Sequence, residues 1–318
     1  MKTAFITGIT GQDGSYLAEF LLTKDYQVIG LVSKEHNIGY QNIEHIKDKL
    51  ILEFGDLLDK SSLERIIKKY KPEEIYNLGG ITFVPKSWEE PGLTFDVNAL
   101  GPVRILELIK EYCPETKFYQ ATSAKIFGDP EKGPQDEKTP IRPGTPYAVS
   151  KAAAHFLTQN FRKHFEIFAC SGVLYNHESE RRGPEFVTRK ITLTAAKIKL
   201  GKAKKLSLGN FDAKQDWGYA PDYVRAMWLM LQQEKADDYI IATGEVHSVK
   251  EVCQIAFSYF NLDWKKFVVQ DKKFFRKEKE TNFFGNPSKA RKKLGWRPKV
   301  SFKEMIERMV DNDLRLIK

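Results

Sequence analysis

Three side chains in the middle of the chain have the types and spacing needed to take a proton from a hydroxyl group while a hydride leaves the same carbon. Tyr147 and Lys151 are four residues apart and follow Pro146, which favours the first turn of a helix. This spacing places the phenol and the ammonium on one helical face, where the cation is expected to lower the pKa of Tyr147. Ser123 follows a strand-like run and is placed to bond the reacting hydroxyl. We therefore predict Ser123, Tyr147 and Lys151 to serve hydride transfer with a nicotinamide cofactor, whose ribose Lys151 would also hold.

A glycine-rich segment near the N-terminus has the spacing of a dinucleotide-binding turn. Gly8, Gly11 and Gly14 lie between a strand-like run and a helix predicted to begin near Ser15. Glycines here allow a tight turn, a close approach of the backbone to a pyrophosphate, and close packing of helix on strand. The predicted cofactor-binding residues of this segment are Gly8, Thr10, Gly11, Gln12, Asp13 and Gly14.

The end of the second predicted strand indicates which dinucleotide is bound. An acidic residue there would bind the free 2′-hydroxyl of NAD, whereas Ser33 and Lys34 suit a 2′-phosphate. The sequence favours NADP, with NAD left open. The other predicted cofactor contacts follow the third and fourth strands: Asp56, Leu57, Leu78 and Gly79.

The elements that must position these residues alternate between strands and helices. Candidate strands cover 3–7, 27–32, 50–54, 74–78, 117–122 and 168–174, separated by helical stretches such as 15–22, 61–70 and 102–112. This rhythm predicts an α/β fold, a Rossmann-type doubly wound parallel sheet that binds ligands at the carboxyl ends of its strands. We assign 1–175 to cofactor binding, with a return to the sheet near 210–245. Residues 176–318 form mainly a smaller α/β lid for the substrate.

Charge is distributed unevenly along the 318 residues. The chain has 51 Lys and Arg against 42 Asp and Glu, a net charge of +9, which divides into −4 for residues 1–150 and +13 for the rest. A basic second half favours an anionic ligand; a nucleotide-linked metabolite fits better than nucleic acid, because the basic residues are not interleaved with aromatic ones. We predict no membrane span, no bound metal because the three cysteines lack ligand spacing, and a cytoplasmic location.

Several longer strings of the sequence match a known pattern: 8–17, 146–147 with Lys151, 176–179, 181–183, 186–191, 208–210, 212–214, 216–218 and 226–233. On these strings the chain resembles the extended short-chain dehydrogenase/reductase family, and within it the GDP-mannose 4,6-dehydratase branch. The resemblance covers nearly the whole chain, and its second-half strings are specific to that branch.

The resemblance implies a chemistry and a set of ligand contacts. Enzymes of this branch use tightly held, recycled NADP to oxidise carbon 4 of a hexose, lose water across carbons 5 and 6, and return hydride to carbon 6. It also implies a GDP-sugar substrate, with GDP-mannose as the expected one. It implies as well a homodimer or homotetramer whose subunits pair through the helix that contains Tyr147. The residues that it implies for substrate binding are Ser87, Asn176, Arg189, Lys190, Gly209 and, on the pyrophosphate, Arg276.

One departure from the family pattern concerns the reaction itself. The dehydratases carry Thr-Ser-Glu at the catalytic strand end, with Glu as the acid and base of water loss, whereas this chain has Ser123-Ala124-Lys125. Lys125 can do the same work if burial or neighbouring cations lower its pKa. Other departures near sugar and phosphate are Ile81-Thr82-Phe83, Gln215, Lys279 and the Ser33-Lys34 pair.

Three functions therefore stay open at the sequence level. The first is a GDP-sugar 4,6-dehydratase with Lys125 in place of Glu. The second is a GDP-sugar epimerase, most simply at carbon 4, which uses only Ser123, Tyr147 and Lys151 and loses no water. The third is a dinucleotide-binding sensor without turnover, which an intact catalytic set argues against.

Overall fold

Strands and helices alternate through the first half of the chain in the computed structural model, which describes residues 1–33, 39–130, 132–275 and 283–318. The strands are β1 Thr3–Thr7, β2 Gln27–Val32, β3 Ile51–Phe54, β4 Glu74–Asn77, β5 Lys117–Ser123, β6 Ala169–Leu174, β7 Asn176–Glu178, β8 Leu206–Leu208, β9 Lys214–Gln215, β10 Trp217–Tyr219, β11 Tyr239–Ile241, β12 His247–Ser248 and β13 Val268–Gln270. The helices are α1 Gln12–Leu22, α2 Lys60–Tyr70, α3 Val84–Glu89, α4 Pro91–Phe95, α5 Gly101–Tyr112, α6 Pro146–Phe165, α7 Val187–Lys199, α8 Ala220–Leu231, α9 Val249–Ser258, α10 Ser288–Leu294 and α11 Phe302–Ile317.

Within the described residues, seven strands form one parallel sheet in the order β11-β6-β5-β4-β1-β2-β3. The order reverses between β1 and β4, as in a doubly wound fold, so the carboxyl ends of these two strands flank the crevice in which such sheets bind ligands. The predicted Rossmann-type sheet is confirmed. Within 210–245, where a return to the sheet was expected, the edge strand β11 pairs with β6.

Alternate residues of each strand face opposite layers. One face of the sheet, with Ala4, Ile6 and Val28, packs against α1 and α8. The other face, with Phe5 and Ile29, packs against α2 and α5. Both faces are therefore covered, as the continuous apolar runs of a buried parallel sheet require.

The first helix begins three residues earlier than predicted. Gly11 has extended backbone angles and takes the N-cap position, so Gln12 lies in the first turn of α1. The predicted start near Ser15 was wrong because the third glycine, Gly14, is already helical and packs against Gly8. This brings the helix N-terminus directly to the glycine turn.

The second half contributes to two layers. Helices α7, α9 and α11 share a core of their own, while α8 and β11 belong to the sheet domain. Three short strand pairs lie beside this core: β7 with β10, β8 with β13, and β9 with β12. None of the helices in the described parts of the chain is long and apolar enough to cross a bilayer.

Candidate active site

The glycine turn leaves no room for side chains at the two points where it touches other backbone. Gly8 has φ +71°, and a Cβ there would lie 2.8 Å from the backbone nitrogen of Gly79. A Cβ on Gly14 would overlap the carbonyl oxygen of Gly8. The turn therefore holds β1, β4 and the start of α1 in backbone contact, and presents the N-terminus of α1 at the crevice. This cradle fits the pyrophosphate of a dinucleotide.

Two side chains of the turn bind the strand that follows β6 along the chain. Gln12 Nε2 donates to the His177 carbonyl oxygen at 3.1 Å, and Ser179 Oγ donates to Gln12 Oε1 at 2.7 Å. Asp13 Oδ2 lies 2.8 Å from His177 Nε2, and the other ring nitrogen of His177 lies 2.7 Å from the Tyr175 carbonyl oxygen. We call this arrangement the turn–strand clasp.

The clasp favours a charged histidine. Burial by itself would lower the pKa of His177, but Asp13 and the Tyr175 carbonyl oxygen outweigh it and raise that pKa. In return, His177 outweighs the effect of burial on Asp13 and lowers the pKa of its carboxyl. Both ring nitrogens of His177 face acceptors, as an imidazolium requires.

The predicted ribose and adenine contacts lie at the ends of β2, β3 and β4. Ser33 Oγ donates to Asp56 Oδ2 at 3.1 Å, so these two predicted residues meet. Leu57 is buried, and Gly79 donates its backbone N–H to Thr7 Oγ1 at 3.0 Å. Leu78 forms part of the cavity wall described below. Lys34 lies outside the described residues.

Ser123, Tyr147 and Lys151 meet in one cavity of about 560 Å³ at the carboxyl end of the sheet. Ser123 ends β5, while Tyr147 lies in the first turn of α6, which Thr145 caps by accepting a hydrogen bond from Ala148 N at 3.1 Å. Lys151 Nζ donates to the Ala121 carbonyl oxygen at 3.0 Å. The structure thus brings the predicted catalytic set together.

Burial shifts the pKa values of Tyr147 and Lys151. It raises the pKa of Tyr147, while the Ser123 hydroxyl and Arg182 oppose this rise. Burial also lowers the pKa of Lys151 to about 8, with Asp13 opposing. The Lys151 ammonium donates to the Ala121 carbonyl oxygen. The lowering of the Tyr147 pKa by Lys151 stays a prediction.

Lys125 lies in the same cavity, next to Ser123. Its backbone nitrogen donates to Ser123 Oγ at 3.2 Å, and its Nζ lies 4.4 Å from the ring centre of Phe283. Phe283 in turn packs on Tyr175, with ring centres 5.3 Å apart. The Lys125 side chain therefore reaches the cavity along an aromatic wall.

The wall opposite the sheet contains part of the predicted substrate set. Asn176, Lys190 and Gly209 line the cavity. Asn176 Nδ2 donates to Gln215 Oε1 at 2.9 Å, and Lys190 Nζ donates to the Ser207 carbonyl oxygen at 2.9 Å. Burial and the charge of Lys273 lower the pKa of Lys190.

Two predicted substrate contacts lie elsewhere. Arg189 is buried between α7 and α11, where its guanidinium pairs with Asp313 at 2.5 Å and donates to the Arg182 carbonyl oxygen at 3.1 Å. Ser87 is buried, and its hydroxyl donates to the Val84 carbonyl oxygen at 2.7 Å. Neither residue lines the described cavity wall, so the structure does not bring them together with Asn176, Lys190 and Gly209, and their contact with the substrate stays a prediction. Arg276 and Lys279 lie outside the described residues.

Several wall residues were not assigned a role from the sequence. Arg182 stacks on Phe186 at 3.5 Å and pairs with Glu178 at 3.1 Å, and the ring of Phe186 meets that of Phe83 edge to face. Both Arg182 and His177 lie in strings that carry the family resemblance. A string marks a segment, however, and does not say which of its side chains face the ligand.

The chain matches known proteins along its whole length. The family model described as GDP-mannose 4,6 dehydratase matches residues 5–309. GDP-mannose 4,6 dehydratase 1 of Arabidopsis thaliana is 49% identical over 100% of this chain and 91% of its own length. A UDP-glucose 4-epimerase of Thermotoga maritima has the same fold, with a TM-score of 0.89 at 22% identity over 99% of this chain and 100% of its own. A UDP-glucose 4-epimerase of Thermus thermophilus, solved with NAD, has a TM-score of 0.85 at 26% identity over 98% of both chains.

Proposed function

Because this chain belongs to the GDP-mannose 4,6-dehydratase family, we propose that it oxidises carbon 4 of GDP-mannose and removes water across carbons 5 and 6, with Lys125 as the acid and base of water loss. The observation that carries this proposal is the position of Lys125. Its backbone N–H is bonded to Ser123 Oγ, and its side chain shares the cavity with Tyr147 and Lys151. One group able to take a proton and deliver it again thus lies next to the hydride-transfer residues.

The steps follow from what each side chain holds. Tyr147 as phenolate takes the proton of the 4-hydroxyl, with Ser123 bonded to the same oxygen. The neutral amine of Lys125 takes the proton of carbon 5, which the new ketone makes acidic. The bond from carbon 6 to its oxygen then breaks, and Lys125 returns that proton so that water leaves. Held by the glycine turn, and by Lys151 at its ribose, a nicotinamide dinucleotide would supply the hydride acceptor for carbon 4 and the hydride donor for carbon 6. Lys125 takes a proton from solvent and gives it to carbon 5, while Tyr147 releases the proton of the 4-hydroxyl to solvent, so that the protons balance.

The decisive experiment is product analysis by mass spectrometry and NMR after incubation with GDP-mannose. We expect a 4-keto-6-deoxy product that is one water lighter than the substrate. Lys125→Met should still reduce the cofactor but release no water, so the reduced cofactor accumulates. Lys163→Met, which changes an exposed lysine on α6, is the matched control and should behave as wild type. Full water loss by Lys125→Met would exclude the acid and base role.

A carbon-4 epimerase is the second candidate, favoured by one contact. A cation over an aromatic face is stabilised in its charged form, and Lys125 Nζ lies over Phe283. A lysine that stays charged cannot take the proton of carbon 5. An unchanged mass with a new stereoisomer at carbon 4 would select this function and exclude the dehydratase.

The cofactor is a nicotinamide dinucleotide, and we propose NADP over NAD. Among the described residues, Ser33 supports this choice. It directly follows β2, at the position where an acidic side chain would favour NAD, and it carries a hydroxyl instead. We assign cofactor binding to residues 1–175 and sugar binding mainly to 176–318. Competitive titration with NADPH and NADH, followed by cofactor fluorescence, tests the choice; tighter binding of NADH would reverse it.

We also propose a homodimer formed through the face of α3, α4 and α6. Large apolar side chains on these contacting helices are exposed, among them Trp88 at 62% and Phe156 at 47%. Contiguous exposed apolar surface marks interaction sites. Light scattering should give twice the monomer mass for wild type and the monomer mass for Phe156→Glu. A monomeric wild type would exclude the proposal, and a tetramer would extend it.

The cytoplasmic location stays a prediction.

A further inference from the structure

The sheet-facing side of α6 stays polar beyond the catalytic lysine. His155, Gln159 and Arg162 follow Lys151 at spacings of four, four and three residues, so they continue along the same side of the helix. His155 is 6% exposed and lies against β6. None of these three residues is used by the reaction steps given above.

The Asp238 carboxylate at the far end of this row determines which atoms donate hydrogen bonds and which accept them. Arg162 Nη1 and Nη2 donate to the two oxygens of Asp238 at 2.8 Å each. Gln159 Nε2 donates to Asp238 Oδ2 at 2.8 Å and lies 3.0 Å from His155 Nε2. Because the carboxylate only accepts, the amide nitrogen of Gln159 must face both neighbours, and His155 Nε2 must be the acceptor.

The row of hydrogen bonds continues from His155 to β5, the strand that ends at Ser123. With Nε2 accepting, His155 carries its proton on Nδ1 and donates it to Ser171 Oγ at 2.8 Å. Ser171 Oγ is hydrogen-bonded in turn to Thr122 Oγ1 at 2.6 Å, and either hydroxyl can be the donor of this bond. Thr122 is 2% exposed, lines the cavity and directly precedes Ser123.

We propose that His155 is a positioning residue for hydride transfer, acting as a neutral donor that fixes the end of β5 through Ser171 and Thr122. Two catalytic contacts depend on that strand end: the hydroxyl of Ser123, and the carbonyl oxygen of Ala121 that accepts from Lys151. The inference rests on the proposed function, because it assigns hydride transfer to Ser123, Tyr147 and Lys151. A shift of a few tenths of an ångström at this strand end misaligns the reacting groups, which lowers the rate without changing how the nucleotide binds.

The test compares four variants by the single-turnover rate of cofactor reduction with GDP-mannose. His155→Phe keeps a ring but donates nothing, and we expect the rate to fall about tenfold with KM within about twofold. His155→Asn retains a donor at the position of Nδ1 and should recover most of the rate. Ser171→Ala cuts the row one bond further on, and combining it with His155→Phe should cost no more than the worse single change.

Thr158→Val is the matched control on the same helix. Thr158 is buried, but its hydroxyl donates only within α6, to the Ala154 carbonyl oxygen at 2.8 Å. We expect it to lower the melting temperature and leave the rate of hydride transfer unchanged. A folded His155→Phe with the wild-type rate, or additive losses in the double variant, would overturn the inference. Should His155→Phe not fold, Ser171→Ala decides by the same criteria.

A spectroscopic readout separates this inference from the proposed function. The Ser123 hydroxyl lowers the pKa of Tyr147, so loosening Ser123 should raise the pKa of that phenol, measured by NMR of labelled tyrosine in the cofactor-bound enzyme. We expect the rise in His155→Phe and in Ser171→Ala, but not in His155→Asn or Thr158→Val. If the wild-type enzyme acts on no GDP-sugar, the proposed function fails. An unchanged Tyr147 pKa in His155→Phe and Ser171→Ala would overturn the positioning role.

Discussion

The residues that line the two walls of the active-site cavity could not be predicted equally well from the sequence. On the sheet side, Ser123, Tyr147 and Lys151 all meet where they were predicted to meet. On the opposite wall, Lys190 lines the cavity while its neighbour Arg189 is buried in an ion pair with Asp313. The sheet-side wall could be predicted because its residues lie at helical spacing on α6 and at the end of a parallel strand, both of which are local features of the sequence. The second wall depends on which side of α7 faces α11, and α11 lies more than a hundred residues further along the chain.

The largest test of this contrast is Tyr147→Phe. Removing the hydroxyl leaves the buried ring in place but removes the group that takes the proton, so hydride transfer should slow at least about a hundredfold. Stopped-flow measurement of cofactor reduction with GDP-mannose checks this. Tyr259→Phe, at an exposed tyrosine on the surface, is the control and should leave the rate unchanged. A Tyr147→Phe enzyme of nearly normal rate would assign the proton to another group.

Arg189→Met should affect stability and not substrate binding. It leaves the Asp313 carboxylate buried with Thr192 as its remaining side-chain donor, so we expect a loss of about 3–5 kcal/mol in the free energy of unfolding. Urea denaturation measures that loss. Folded Arg189→Met enzyme should keep the wild-type KM, and a raised KM with unchanged stability would return Arg189 to the substrate site.

Lys190→Met should show the opposite pattern. Its ammonium lines the cavity and is bonded only to the Ser207 carbonyl oxygen and the ring of Phe274 among the described contacts. We expect KM for GDP-mannose to rise about tenfold, the equivalent of one charged hydrogen bond, with little change in the urea midpoint. Equal effects of the Arg189 and Lys190 changes on both measurements would erase the distinction between them.

The smallest effect concerns pH and Lys151. Burial lowers the pKa of this lysine to about 8. Below that pH we expect the charged ammonium to donate to the cofactor ribose, and above it we expect the neutral amine to donate less strongly. We expect the Kd for NADPH to rise roughly threefold as pH increases through this range. Fluorescence titration checks it, and Lys151→Arg, which stays charged, should lose the dependence. A flat wild-type profile would contradict the assignment.

Particular residues show how far local reasoning reaches. The parallel sheet and the glycine turn were predicted from strand-like runs and glycine spacing, both of which act within about thirty residues. Ser87 lies within the short helix α3, where its hydroxyl donates to the Val84 carbonyl oxygen, a local contact that its position in the sequence did not predict. His155 was overlooked because its partner Ser171 comes from the later strand β6, and Asp238, which bonds its other partner Gln159, lies just before β11. The helical spacing of Lys151, His155 and Gln159 was nevertheless a usable signal.

The turn–strand clasp restricts how this enzyme can be rebuilt. Gln12 and Asp13 belong to the cofactor turn, yet their partners His177 and Ser179 belong to the segment after β6. A chimaera that took only the glycine turn from another dinucleotide enzyme would leave a buried histidine without its carboxylate and a serine without its acceptor. Changing the cofactor therefore requires exchanging both segments as a pair, although the bonded residues are 164 to 167 positions apart in the sequence.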